Sequence, residues 1–289
     1  MSSSADLKHS LERIDTLPAM PIIAQKLLAL PLDTEKGEAE LLKLIVQDSQ
    51  ISAKVIGLSN TALFGSPCKI NSVSDATMRL GLTRVKSIAI GIATMSAFAR
   101  QSEGRLKSMD LWAHNLMIAF AMRTIASYMP ARMRPMDDQV FLAGLLHDIG
   151  YSALEFLDAN ASNILHEKLA TTPGVPLLEI EHELIGTHHG EIGAQLDISW
   201  NLPEEVIAVM RYHHTPEDVD TEAEAGLSLV NLVNIAEKTL PDFGVSEHTA
   251  QEINEQDWIN LGVDPDEVDV IVEGIWTVIE PDKLFASAG

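Results

Sequence analysis

One cysteine, Cys68, stands among 289 residues, so no disulfide can close within the chain. A lone thiol points to a reducing compartment, and the cytoplasm is the expected location. The opening MSSSADLKHS lacks the basic-then-apolar pattern of a secretory signal. The longest suspicious apolar run, IAIGIATMSAFA at 88–99, is closed off by Lys86 and Arg100. It falls short of the roughly 20 residues that a spanning helix needs, so no membrane partner is expected. Aromatic residues are few, at 5%, which leaves the core to Leu, Ile, Val, Ala and Met. Alternating strand patterns and internal repeats are also missing.

Basic residues are the other scarcity. Against 42 Asp and Glu stand 20 Lys and Arg, a net charge of −22. The imbalance is local: residues 1–105 hold 12 basic and 10 acidic side chains, leaving 8 and 32 to the rest. So acidic a region repels phosphate backbones, and nucleic acid is not an expected partner. It would favour cations or a basic protein surface, although for most of these charges a solvated surface is reading enough.

What is present is hydrophobic helix. Apolar residues make up 46% of the chain and recur at steps of three and four. Examples are Ile23, Leu27, Leu28 and Leu30, then Leu41, Leu44 and Ile45, then Ile51, Val55 and Leu58. Breakers fall between these runs: Pro18 and Pro21 before the first, Pro31 after it, and Pro67 after a Phe-Gly turn. The fold class is therefore all-α, with length enough for two lobes. The expected division is an N-terminal helical lobe at 1–105, a helical bundle at 106–240 and an acidic helical extension at 241–289. Loops are expected at 101–110, 131–138 and 170–176, and in TPEDVDTEAEAG after His214.

Two paired sites carry the chemistry. His147-Asp148 lies in FLAGLLHDIG, and His213-His214 in MRYHHTPED. An Asp137 or Asp138 cap and a Gly150 stop would place His147 and Asp148 in the last turn of one helix. Successive helical residues point about 100° apart, so only a ligand beyond the helix end can meet both. The run Phe141 to Leu146 makes the pair partly buried, and a buried carboxylate needs a partner or a cation. A His–Asp hydrogen bond capping the helix is the plainer alternative. His213-His214, between Pro203 and Pro216, is weak evidence alone, since such pairs often end a helix in solvent.

Three helical residues are further candidates. His189 shares a face with Ile185, Ile192 and Leu196, and His182 two turns earlier is its rival; His188 falls on another face. A lone histidine on such a face is more often a satisfied core residue. His114 lies with Leu111, Met117, Ile118 and Ala121. Glu237 lies among Val230, Val233 and Leu240, where it needs a core partner that Lys238, on an adjacent face, would not supply. Imidazole and carboxylate suit Fe, Mn, Zn or Ni, so convergence of these residues would hold one or two transition-metal ions.

The order of His, HisAsp, His, HisHis and an acid resembles that of the HD superfamily of metal-dependent phosphohydrolases. The chain looks more specifically like its HDOD branch. The resemblance runs from LPAMPIIAQKLLAL through LLKLIVQDSQISAKVIGLSNTALFG and INSVSDATMRLGLTRVKSIAIG to LWAHN, FLAGLLHDIG, THHGEIGAQL and WNLPEEVIAVMRYHH, covering about 12 to 240. It implies an all-helical bacterial signalling module, a class often taken as non-enzymatic, in which many members have lost metal ligands. This chain keeps the series: His114, His147, Asp148, His189, His213 and His214 match the ligand order. Glu237 stands where Asp is more usual, and Asp48-Ser49 where the branch commonly has Asp-Pro.

Three functional classes follow. The first is a signalling module acting through contacts with other signalling proteins, its metal structural or sensory. The second is a metal-dependent phosphodiesterase or phosphatase, in which bound metal generates hydroxide to attack phosphorus. The third is a metal-free scaffold. Phosphoryl chemistry wants extra cations, yet from Phe141 to Leu240 the basic side chains are Lys168, Arg211 and Lys238 alone. Cyclic di-GMP hydrolysis is disfavoured further. Tyr151 occupies the place of that branch's lysine, and Thr215-Pro216 follows HisHis without the Gly-Tyr-Pro signature. A docking surface is not legible, and Arg84 and Lys86 in TRVKS read first as a solvated helix entrance.

Overall fold

A computed structural model describes residues 16–61, 64, 69–98, 105–172, 174–219, 224–240 and 253–278. Helices account for most of the described backbone, and no strand occurs among the described residues. The expected Phe-Gly turn before Pro67, Cys68, and much of the 101–110 connection lie outside them.

The first lobe is built from α1 (Ile22–Leu28), α2 (Glu35–Gln47), α3 (Ser49–Ser59), α4 (Val73–Leu80) and α5 (Leu82–Ala97). Local chemistry sets the starts. Thr34 Oγ1 accepts from Gly37 N at 3.1 Å, and Asp48 Oδ1 accepts from both Gln50 N and Ile51 N at 3.0 Å. Asp48 is thus a cap, and Ser49 takes the first helical position, where proline is otherwise well suited. Arg84 and Lys86 turn inward rather than outward. Arg84 Nε is 3.8 Å from Asp137 Oδ2, and Lys86 Nζ donates to the Leu30 carbonyl at 2.9 Å, closing the end of α1.

The second lobe contains α6 (Ser108–Tyr128), α7 (Asp137–Leu146), α8 (Ile149–Leu157), α9 (Ala159–Thr171), α10 (Leu177–Ile185), α11 (His189–Ser199), α12 (Glu204–Tyr212) and α13 (Glu224–Thr239). Contacts run α6 to α7, α7 to α12, α8 to α11, α11 to α12, α12 to α13 and α13 back to α6. Those pairings close a ring of helices around one interior. Helix α5 packs on α1 and on α7, so the hydrophobic core runs on from the first lobe into the second. Beyond Pro241, α14 (Glu255–Asn260) lies on α13 with Trp258 buried, and α15 (Val268–Val278) lies on α6.

Backbone contact between helices decides how tightly this ring closes. A Cβ on Gly144 of α7 would fall 2.6 Å from Ala119 Cα of α6. A Cβ on Gly150 of α8 would fall 1.9 Å from the His189 carbonyl oxygen of α11. Gly150 therefore does not stop a helix, as its place in the sequence suggested. The break comes earlier: His147 caps α7, Asp148 adopts φ −101° and ψ 15°, and α8 starts at Ile149. Residues 137–157 are the stretch among the described residues with the length and apolarity of a membrane span, but 89% of that window is buried inside the protein. This is the profile of a core element.

Candidate metal centre

The seven candidate side chains enter the interior from five separate helices or helix ends. His114 projects from mid-α6, and His147 and Asp148 sit in the α7–α8 break. His189 opens α11, His213 and His214 follow α12, and Glu237 lies in the last turn of α13. The chain breaks at Gly186, in the left-handed region at φ 76°, so His182 and Ile185 belong to α10 rather than to the helix of His189. That overturns the single helical face read for them. His182 is exposed, and His188 is half-buried, its Nδ1 accepting from Glu191 N at 3.3 Å.

Second contacts orient the rings. His147 Nδ1 donates to the Gly144 carbonyl at 2.9 Å. His213 Nδ1 donates to the Val209 and Met210 carbonyls, both at 2.9 Å. His189 Nδ1 donates to Glu181, 2.9 Å from Oε1 and 3.0 Å from Oε2. A proton held on Nδ1 leaves Nε2 as the free lone pair, and in all three rings Nε2 points into the cluster. Two buried amides brace the same helix ends. Asn115 Nδ2 donates to the Leu145 carbonyl at 3.0 Å, and Asn234 Nδ2 donates to the His213 carbonyl at 2.7 Å.

Asp148 is the hub. Its Oδ2 lies 3.4 Å from His114 Nε2 and 3.3 Å from His147 Nε2. Its Oδ1 lies 3.4 Å from His189 Nε2 and 3.6 Å from His213 Nε2. Glu237 Oε1 is 2.9 Å from His147 Nε2, and Oε2 is 3.5 Å from His214 Nδ1. Two groups of ligand atoms result, each within 4.8 Å: His114, His147, Asp148 and Glu237 in one, His189, His213 and His214 in the other. All seven residues singled out from sequence are brought together.

The donor set fits a metal. Atoms bound to one ion at about 2.1 Å, at angles of roughly 90–110°, lie about 3.0–3.4 Å apart. Most separations here, 3.3 to 3.6 Å, fall in or near that range and are long for a hydrogen bond. Both Asp148 oxygens are buried and accept no hydrogen bond, a costly state unless positive charge lies beside them. Among the described residues no guanidinium or ammonium supplies it from the neighbouring helices: Arg211 Nε binds Glu191 Oε2 at 2.7 Å, and Lys238 Nζ is 3.8 Å from Asp257 Oδ2.

Beside the carboxylates, two of the imidazoles take up the positive charge themselves. Burial would raise the Asp148 carboxyl, but His147 and His189 hold it well below its usual range. Burial would lower His147, yet Asp148 and Glu237 carry it well above an ordinary imidazole; Glu181 and Asp148 do the same for His189. Burial dominates at His114, which falls to about 4, and at His213 and His214, which fall well below the ordinary value. It also raises Glu237.

Sequence reasoning missed Glu181, Asn115 and Asn234. Glu181 is one of three acids in EIEHELIG, and its sequence neighbourhood does not mark it out. Its full burial does. Tyr151, read only as a missing lysine, stacks on His189 with ring centroids 4.1 Å apart and planes 18° apart.

A ring of helices converging imidazoles on one carboxylate carries the HisAsp…HisHis order into three dimensions, and residues 17–216 match the model of the HDOD domain. The chain belongs to the HDOD family. It is similar over 99% of its length to a protein from Marinobacter aquaeolei VT8 whose name assigns it to signal transduction, with 25% identity and a TM-score of 0.79, covering 65% of that chain. An HDOD domain protein of unknown function from Geobacter sulfurreducens shares the fold, with a TM-score of 0.71, 23% identity, and coverage of 96% of this chain and 99% of that one. An uncharacterized protein of Treponema pallidum is 25% identical over 228 residues, 78% of this chain. The HDOD chain described here spans 42% of the length of that curated relative.

Proposed function

We propose that this HDOD protein is a signal-transduction or regulatory module that works through contacts with other signalling proteins, with a transition-metal centre built into its second lobe. The burial of the ligand set carries the reading. Side-chain exposure is 0% for His147, Asp148 and His189, 1% for His213, 3% for Glu237, 7% for His114 and 9% for His214. Structural metal sites are closed, whereas catalytic ones keep a position open to water and substrate. Seven ligands drawn from five chain segments would make a bound ion a fastener of the lobe, and its loss a signal that the helices can report. The three-part division at 105 and 240 belongs to this reading: a near-neutral lobe for contacts, a metal-holding bundle and an acidic extension on α6 and α13.

A phosphohydrolase is the second reading, favoured by one observation: two ligand groups share Asp148, the layout that a two-metal hydrolytic site requires. When bound, such ions would activate water and polarise a phosphoryl oxygen. His114 and His214, the least buried ligands, mark the side from which water would have to enter. Against it stands the placement of the basic side chains, with Arg211 and Lys238 both paired elsewhere. Cyclic di-GMP is the least suited substrate, since Tyr151 is wholly buried against His189 and offers no cation to phosphate.

Purification without chelator, metal analysis, and assay on a generic phosphodiester and phosphomonoester decide between them. Bound metal without turnover supports the module. Metal with turnover abolished by Asp148→Asn supports the enzyme. A chain that takes up no transition metal overturns both metal readings and leaves a hydrogen-bonded scaffold.

A further inference from the structure

The two ligand groups are unequal in charge. His114, His147, Asp148 and Glu237 include two carboxylates. His189, His213 and His214 include none; within the cluster, carboxylate reaches them only from the other group, with Asp148 Oδ1 3.4 Å from His189 and 3.6 Å from His213 and Glu237 Oε2 3.5 Å from His214. A dication held by three neutral imidazoles in a dry interior has less of the counter-charge that two carboxylate ligands give its neighbour.

Glu181 lies behind that second group. It is fully buried on α10, and both of its oxygens are directed at His189: 2.9 and 3.0 Å from Nδ1, with Oε2 also 3.3 Å from the His189 backbone nitrogen. The corresponding Nδ1 atoms of His147 and His213 meet neutral backbone carbonyls. His189 alone among these three has an anion at its back, and it alone has an aromatic ring stacked flat on it, that of Tyr151. One face and one edge of the imidazole are thereby fixed.

We infer that Glu181 is the positioning residue of the three-histidine group, orienting His189 and supplying through its ring the negative charge that lets this group hold an ion of its own. A carboxylate on Nδ1 makes the opposite nitrogen a stronger donor, and such partners commonly account for 10–100-fold in metal affinity. The inference rests on the reading of these residues as metal ligands.

The test is Glu181→Gln, which keeps the size and one oxygen acceptor but removes the charge. Wild type, Glu181→Gln and Glu181→Asp would be titrated with Co(II) or Zn(II) against a competing chelator, with Glu183→Gln as an exposed control. Melting temperature in excess chelator reports folding independently of metal. The expected result is about 10–100-fold weaker binding of one ion in Glu181→Gln, partial recovery in Glu181→Asp, and unchanged affinity for any second ion. The chelator-treated melting temperature stays close to wild type. The Co(II) visible spectrum changes for the weakened ion alone. Wild-type affinity for every ion in Glu181→Gln overturns the inference while leaving the metal centre standing, as does equal weakening of both ions. Wild type that binds no ion overturns the metal reading and the role of Glu181 together.

Discussion

The Nε2 atoms of His189 and His213 lie 3.0 Å apart, and each ring has already committed Nδ1 to another acceptor. Two neutral rings in that pose would set lone pair against lone pair, so a proton or a metal ion must mediate between them. An ion that bridges helices in the folded state alone adds its binding energy to stability. Saturation at 100 times Kd adds about 2.7 kcal/mol. Chelator treatment of metal-loaded protein is therefore expected to lower the melting temperature by several degrees, and restoring the ion should reverse the change. A melting temperature indifferent to chelator at every concentration tried would count against an interior ion.

Asp148 lies within 3.6 Å of four rings across both ligand groups, whereas Glu237 lies 2.9 Å from His147 and only at its other oxygen, 3.5 Å away, meets His214. Asp148→Ala should therefore lose metal from both groups, and Glu237→Ala mainly from the His147 group, with a smaller loss where its second oxygen meets His214. Removing a direct ligand should weaken an ion more than the roughly 10–100-fold typical of second-layer changes. Metal per chain after dialysis separates the two variants. Equal loss in both would show that the groups do not act as the geometry divides them.

Gly150 tests the tightness of the ring. A Cβ there would meet the His189 carbonyl, which is backbone and cannot swing aside. Gly150→Ala should destabilise by at least the 1–3 kcal/mol of ordinary overpacking and disturb metal binding through His189. Gly57 is the contrast. It lies inside α3 with nothing within 4 Å of a new Cβ, so Gly57→Ala should stabilise by about 0.5–1 kcal/mol. Denaturant unfolding of both variants measures the difference.

The helical class and the ligand order were legible in the sequence because both are local or ordered properties. Apolar spacing marks a helix, and His147-Asp148 and His213-His214 are adjacent in the chain. Geometry that depends on packing was not legible. Gly150 looks like a helix stop in one dimension; its real constraint is a carbonyl 39 residues further along. His182, His188 and His189 share a pattern of spacing, and the left-handed Gly186 decides that only His189 opens the inward helix. Glu181 could not be told from Glu179 or Glu183 until α10 was docked, when it alone of the three proved buried. Arg84 and Lys86 read as a solvated entrance and instead bind Asp137 and the end of α1.

His166 supplies a pH prediction. It is buried beside Tyr151 with Nε2 lacking a hydrogen bond, and burial holds its pKa down to about 4. The unfolded imidazole titrates near 6.5, so the unfolded chain binds the proton more readily. The folded state keeps its full stability above about pH 6.5 and loses it progressively as pH falls towards 4. The loss reaches about 3 kcal/mol by the lower limit. His166→Phe removes the proton site and keeps an aromatic ring against Tyr151. Its stability should fall less steeply between pH 6.5 and 4 than that of wild type, as read from urea midpoints across that range. Parallel curves would remove His166 from the acid response.

Asp197 gives the opposite sign. It is fully buried on α11, both oxygens lack hydrogen bonds, and burial raises its carboxyl well above the ordinary value. The unfolded carboxyl ionises near 3.9, so folding favours the protonated form, and the native state is penalised once the solution is basic enough to ionise the unfolded chain. The penalty is absent below about pH 4, grows as pH rises, and levels off above the folded-state pKa. Asp197→Asn removes the ionisable proton while keeping the shape. It should stabilise the protein at pH 7, by about 1.4 kcal/mol for each pH unit over which the unfolded carboxyl is ionised and the folded one is not, with the gain shrinking towards zero near pH 4. Loss of stability at pH 7 in Asp197→Asn would mean that the carboxyl serves the fold in a way that its solitary burial does not reveal.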